Sequence, residues 1–260
     1  MDLARACFKF FLFFLLCAFV IIVQTAVLLV HQGKYARIIP YFWMNSARRI
    51  FGIRLRVHGT PYHATQTLYV SNHLSYLDIP VIGSVLKVPF VSRKDASEWP
   101  FLGYLVKLGQ TAYVERSRSA LKNDAHSLTG VIDRGGSLVI FPEGTSTDGQ
   151  NVLPFKSSLF SLAIRDDKPD LHIQPISLKM THVDGHTPQT QDDRDLYAWH
   201  RGIDTELFAH LWRFAKTRGA EIHLTFHPAI RAAEYSDRKI LAKTCYDTVS
   251  NGVAQRRLAA

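Results

Sequence analysis

The chain opens on apolar residues almost without interruption. "FFLFFLLCAFVIIVQTAVLLV", residues 10 to 30, carries no charge, and as a helix at about 1.5 Å per residue it reaches roughly 30 Å, enough to cross a bilayer core. A cleaved signal peptide is the other source of such a run, but this one is long for that and no small-x-small cleavage site follows it. Arg5 and Lys9 precede it and Lys34, Arg37, Arg48 and Arg49 follow it. The symmetric basic flanks give no orientation and equally suit a helix that dips into one leaflet. Residues 33–52, "GKYARIIPYFWMNSARRIFG", mix aromatic, aliphatic and basic positions. They fit an interfacial helix interrupted near Pro40, or a helix packed on the rest of the protein.

From residue 53 the pattern changes. Short runs rich in β-branched and aromatic residues lie at 53–59, 67–73, 88–93, 110–116, 137–143, 172–180 and 221–230 and read as strands. Between them are helical stretches. Residues 119–136 place Leu121, Ala125, Leu128, Val131 and Ile132 on one side and end in a glycine pair suited to a C-cap; 156–165 and 237–256 are two more. The polar, turn-rich segment 182–200 reads as a surface excursion. Such alternation predicts an α/β fold with a mixed, largely parallel sheet flanked by helices, preceded by a membrane-associated helical segment. The expected division is 1–52 for the anchor and 53–260 for the α/β domain.

Composition narrows the partners. The chain has 260 residues, 47% of them hydrophobic, and 31 Lys and Arg against 22 Asp and Glu, a net charge of +9. That excess favours anionic partners. The aromatics do not interleave with the basic residues as a nucleic-acid platform requires, so nucleic acid is not expected. Three scattered cysteines predict neither a disulfide framework nor a zinc site, and no metal is expected.

The chemistry-bearing residues sit at strand exits, where ligands of open α/β sheets bind. In "SNHLSYLDIP", His73 precedes Asp78 by five residues. On one helix the two would diverge by about 140°, so contact requires a turn, and Pro80 supplies the reason for one because it places a helix start near Asp78. Two roles are open. Asp78 could orient His73 as a proton-accepting base, or it could serve "SYLD" as a capping box. In "FPEGTSTDGQ", Glu143 is followed by Gly144, which lets backbone N–H groups approach an anion, and by Thr145. "GQTAYVERSRS" brings Arg116 and Arg118 to another exit, with guanidinium groups suited to phosphate or carboxylate; Lys94 and Lys156 are further cations. Each has an ordinary turn or solvated-surface reading beside the functional one. No Gly-x-Ser-x-Gly elbow, phosphate loop or dinucleotide fingerprint occurs.

Taken in order, "NHLSYLD", "GQTAYVER", "FPEGTST" and "IQPISL" resemble the four blocks of the glycerolipid acyltransferase family typified by lysophosphatidic acid acyltransferase. The resemblance spans roughly residues 68 to 180 and implies transfer of an acyl group from a thioester on acyl carrier protein or coenzyme A to a lipid hydroxyl, with no other cofactor. It assigns catalysis to His73 and Asp78 and acceptor binding to Arg116, Glu143, Gly144, Thr145 and Lys94. It also implies membrane lipids as partners and the cytoplasmic side of a bacterial inner membrane as the location. One departure stands out: Ser146 occupies the position where many phosphatidate-forming members carry arginine. It leaves room for an acceptor without a phosphomonoester, such as a lyso-ornithine lipid, beside 1-acyl-sn-glycerol-3-phosphate.

Overall fold

The structure is a computed structural model and describes residues 2–30, 38–93, 112–114, 128–165, 167 and 170–255. Its centre is a mixed sheet. The strands are β1 (Arg54–His58), β2 (Thr67–Ser71), β5 (Leu138–Ile140), β6 (His172–Val183), β7 (Ala220–Phe226) and β8 (Ile230–Arg231). Their order is β1-β7-β6-β2-β5, with β8 also on β6. Three pairings are parallel: β1 with β7, β2 with β6 and β2 with β5. β6 pairs antiparallel with both β7 and β8. Strands β3 (Val91–Arg93) and β4 (Ala112–Val114) form a parallel pair, and a bridge between Phe90 and Val139 carries it to the edge at β5. The mixed, largely parallel sheet expected from the sequence is present.

The pattern of burial explains the layering. β2 is buried at every position and β5 likewise, as strands covered on both faces must be. β7 alternates, with Ala220, Ile222, Leu224 and Phe226 buried. Leu68, Val70, Leu138, Ile140 and Ile173 point into one core, which is roofed by α4 (Leu128–Asp133), a 3-10 helix (Ser157–Leu162) and α7 (Arg238–Gln255). Tyr69, Val139, Ile176 and Leu178 point into the other, which is roofed by α1 (Asp2–Val30), α2 (Ile38–Ile50), α3 (Asp78–Gly83) and α6 (Leu207–Lys216). A short α5 (Gln191–Arg194), closed by a capping box between Thr190 and Asp193, precedes α6.

Several local expectations change. Pro40 does not interrupt α2; it lies in the first turn, where its missing N–H would have had no intrahelical partner. The stretch 156–165 is a 3-10 helix rather than an α-helix. The glycine pair after α4 closes it as expected, with Gly136 N–H on Val131 O (2.9 Å), Gly135 N–H on Ile132 O (3.0 Å) and Gly135 at φ +76°, the bonding of a Schellman motif. The segment 182–200 is only partly a surface excursion: β6 runs on to Val183, and Tyr197 and Ala198 are fully buried.

α1 and α2 form an antiparallel hairpin. Phe13 meets Phe51 (ring centroids 5.3 Å apart) and Trp43 (6.0 Å), and Phe19 meets Phe42 (6.2 Å). Ala6, Phe10, Phe13 and Cys17 form the buried stripe of α1, in the same core as Ile222 and Leu224 of the sheet. Two cations fasten its start. Lys9 Nζ donates to Phe51 O (3.0 Å) and Thr217 O (2.8 Å), and Arg5 donates to Lys216 O (2.7 Å). These carbonyls close α2 and α6, where unpaired acceptors favour a positive charge. The remaining faces of α1 expose Phe11, Phe14, Phe19, Ile22 and Leu29.

Candidate active site

The site starts where β2 ends. Asn72 is buried and its amide pairs with both backbone groups of Leu178, donating to the O and accepting from the N (2.8 Å each). The side chain thus continues the β2–β6 ladder for one more step and fixes the direction in which His73 leaves the sheet. The chain then turns through residues 73–77 before α3 starts at Asp78.

That turn closes on the Asp78 carboxylate. Oδ2 accepts from His73 Nδ1 (2.8 Å), Leu74 N (2.6 Å) and Ser75 N (2.9 Å), and Oδ1 accepts from Tyr197 Oη (2.9 Å). Asp78 is fully buried and the His73 side chain is 21% exposed. A buried carboxylate needs this degree of hydrogen bonding. The two roles left open by the spacing are therefore filled together. The Ser75 N–H bond is the reach-back half of a capping box, while the same oxygen holds the imidazole. Because the carboxylate acts as an acceptor, the Nδ1 hydrogen is assigned to the shared bond. Nε2 is left as the basic nitrogen, and it makes no hydrogen bond to a described residue. The ring lies flat on Phe141 (centroids 4.1 Å apart, planes at 17°).

Glu143 is tied to the same turn from the next strand exit. It is buried, and its two oxygens accept from His73 N and Leu153 N (2.7 Å each). Burial pushes its pKa up to about 7, against the opposing pull of those two N–H groups. Gly144 follows at φ +72°, and the space a Cβ would take is occupied by the end of the Lys156 side chain. The backbone conformation is what favours glycine here, since the flexible lysine end can move aside. Thr145 is half-buried, and among the described residues its hydroxyl reaches only Ser146 O, at 3.5 Å. Thr147, which the motif reading passed over, donates its N–H to His73 O (2.9 Å). Lys94 and Arg116 lie outside the described residues.

A third segment braces the turn from the opposite side. Besides Tyr197 on Asp78, Trp199 N–H donates to Leu74 O (2.9 Å) and Ser146 Oγ donates to Trp199 O. His210 of α6 lies beneath. Its Nε2 approaches Asp195 O (3.1 Å) and Ala198 O (3.0 Å), so Nε2 carries the hydrogen and Nδ1 accepts from Tyr76 Oη (2.9 Å). Burial holds the His210 pKa below the usual imidazole value. Tyr197, Trp199 and His210 were not legible as site residues. Asp192, Asp193, Arg194 and Asp195 dominate their neighbourhood, and no local motif links them to residue 78.

A strand-end imidazole, set by a buried carboxylate and braced on two sides, is an arrangement that a general base can use. The comparisons with known proteins give the fold a setting. Residues 54–179 match the family model described as acyltransferase. A lyso-ornithine lipid O-acyltransferase of Brucella abortus is 32% identical over 225 residues, covering 84% of this chain and 82% of that one. One from Rhodobacter capsulatus is 33% identical over 210 residues, covering 80% and 72%. A 1-acyl-sn-glycerol-3-phosphate acyltransferase of Neisseria meningitidis is 28% identical over 195 residues, covering 75% and 72%. The fold matches the crystal structure of the 1-acyl-sn-glycerophosphate acyltransferase PlsC from Thermotoga maritima with a TM-score of 0.71 at 18% identity, over 98% of this chain and 96% of that one. The chain belongs to the acyltransferase family.

Proposed function

We propose that the protein moves a fatty acyl group from an acyl thioester to the hydroxyl of a lysolipid, with His73 as the base and Asp78 as its orienting partner. The observation that carries this reading is the contact between His73 Nδ1 and Asp78 Oδ2 at 2.8 Å, which leaves Nε2 as the proton acceptor. Nε2 takes the acceptor's hydroxyl proton as its oxygen attacks the thioester carbonyl. The tetrahedral intermediate collapses with cleavage of the carbon–sulfur bond, and the imidazolium returns the proton to the departing thiolate. No enzyme nucleophile is needed, in keeping with the missing serine elbow. Backbone N–H groups near the motif, or Lys94, supply the oxyanion's donors; losing one such donor commonly costs about 3 kcal/mol.

In this reading Glu143 works from behind, since both its oxygens are taken by backbone N–H groups. Gly144, Thr145, Arg116 and Lys156 border the acceptor's headgroup. The thioester is carried by acyl carrier protein or coenzyme A, with no further cofactor. The α1–α2 hairpin holds the domain on the membrane that contains the acceptor, and the cytoplasmic face of a bacterial inner membrane is where such thioesters are available.

The motif order favours 1-acyl-sn-glycerol-3-phosphate as acceptor, giving phosphatidic acid. A specific observation favours a lyso-ornithine lipid as the second reading. Ser146 is no cation, and its hydroxyl is turned onto Trp199 O, so that position brings no charge to a phosphate. Two of the relatives named above are also lyso-ornithine lipid O-acyltransferases. The test is a membrane assay with labelled acyl thioester and each lysolipid, wild type beside His73→Ala. Loss of turnover in the variant supports the assignment; equal turnover by both removes it, and no turnover by either leaves a non-catalytic lipid-binding module. Preference between the two lysolipids decides the acceptor.

A further inference from the structure

The helix α6 was not expected from the sequence, and it is amphipathic, with one large apolar side chain, Phe208, on its exposed face. His210, Leu211, Phe214 and Ala215 face the core. On the outside, Phe208 is 58% exposed at the start of the helix, and Arg213 and Lys216 are exposed at its end. α6 runs antiparallel to α1. Arg5 of α1 donates to Lys216 O (2.7 Å), while Phe10 meets Trp212 (5.2 Å) and Phe208 (5.8 Å). Reading α1 forward and α6 backward therefore places Arg5 beside the Lys216 end and the aromatics Phe10, Trp212 and Phe208 beyond it, although Leu3 and Phe8 of α1 are exposed at the level of the cations too. α2, also antiparallel to α1, repeats the order, with Arg49 exposed in its last turn near Phe51 and Phe42 exposed at the other end, beside Phe19.

Arg5, Arg49 and the Arg213–Lys216 pair of the three helices thus lie at one level, with the exposed rings Phe208, Phe19 and Phe42 to one side of it. A bilayer has that profile, anionic headgroups above acyl chains. Phe208 lies beside Phe10, five residues and about 7.5 Å along α1 from Arg5, within the roughly 5–10 Å to which interfacial helices sink. Just before Phe208 the chain exposes Glu206 and Asp204, which bounds how far this end can sink, and Thr205 O between them accepts from Trp199 Nε1 (2.9 Å).

We propose that α6 is a third membrane-contacting element, its Phe208 end seated in the lipid interface beside α1 and its Arg213–Lys216 end at the headgroups. The proposal rests on the membrane attachment of α1 proposed above. It ties the bilayer surface to the site, because α6 carries His210, which bonds Tyr76 of the His73–Asp78 turn.

The experiment uses the full chain with Cys7→Ser, since Cys7 is the exposed cysteine and Cys17 and Cys245 are buried. A nitroxide is placed at Phe208→Cys, Phe11→Cys or Ile240→Cys and the protein is bound to vesicles of phosphatidylethanolamine and phosphatidylglycerol. Ile240 is exposed on α7, across the sheet from α1. Labels at 208 and 11 are expected to be accessible to oxygen and shielded from a water-soluble nickel chelate, with the reverse at 240. A label at 208 that behaves like 240 while 11 is shielded overturns the role of α6 alone. Labels at 208 and 11 that both behave like 240 overturn the membrane attachment as well. As a label-free check, Phe208→Ser keeps its thermal midpoint in detergent and binds the same vesicles about tenfold more weakly; unchanged binding counts against the proposal.

Discussion

Tyr197 donates its hydroxyl to the one oxygen of Asp78 that the His73 turn leaves open, 2.9 Å away and 119 residues further along the chain. The bond is wholly buried and completes the acceptor capacity of a carboxylate that already holds three donors. Removing it leaves Oδ1 without a donor and frees the carboxylate to rotate. Tyr197→Phe is expected to lower kcat about tenfold with little change in KM and to shift the acid limb of the kcat profile, and to cost about 1.5–3 kcal/mol of stability, as for hydrogen bonds to charged groups. Steady-state kinetics across pH 5–9 checks it. A stability loss without any change in the pH profile would make Tyr197 merely structural.

Asp78→Asn tests the charge. Because Leu74 and Ser75 N–H also point at Oδ2, the amide keeps its oxygen there and turns its NH2 to Tyr197 Oη, so the tautomer is kept while the charge that stabilises the imidazolium is lost. A drop in kcat of about 10²–10⁴ is expected, in the range for a lost general base. Single-turnover measurements with a saturating thioester check it; a loss below tenfold contradicts the role given to the pair.

Glu143 predicts a pH dependence of stability. Its folded pKa of about 7 lies above the ordinary 4.5, so between those values the native state binds more protons than the unfolded one. Stability from this group therefore falls as pH rises from about 4.5 to about 7 and is level above that. The full change is on the order of 3 kcal/mol. Urea unfolding of wild type and Glu143→Gln at intervals from pH 4.5 to 8 should show a falling slope in the wild type that the variant lacks. Parallel curves would refute it.

Lys9 is predicted to hold α1 to the body of the protein. Its ammonium serves Phe51 O and Thr217 O together. Lys9→Met keeps the length and apolar stem but strands both carbonyls in a buried setting, with an expected loss of about 2–4 kcal/mol. A fall in the thermal midpoint in detergent, with faster proteolysis near residue 30, checks it. An unchanged midpoint would show that aromatic packing alone holds the helix.

Much of the site was legible because its chemistry is local. Apolar runs marked the strands, Pro80 placed a helix start near Asp78, and the five-residue spacing then required the turn that brings His73 back. Glu143 was legible as a strand-exit carboxylate, though not as the clamp on the His73 peptide, which depends on β5 lying next to β2. Tyr197 and His210 were hidden for a physical reason. Two buried residues, Tyr197 and Ala198, follow a run of four charged ones, too short for any periodicity to show. α6 was legible but passed over: His210, Leu211, Phe214 and Ala215 fall on one buried face and Arg213 and Lys216 on the exposed one, the pattern by which a surface helix is read.

The hairpin of α1 and α2 is fastened at both of its open ends, by Arg5 and Lys9 on one arm and by the run from Phe51 into β1 on the other. A domain hung from a single helix could swivel above the bilayer and sweep a wide area. With two arms clamped and the hairpin seated in the bilayer as proposed, the enzyme would stand like a table on fixed legs, with the imidazole at a constant height over the lipid. The acceptor would then have to rise to meet it, and the depth at which a lysolipid rides in its membrane would become part of substrate choice.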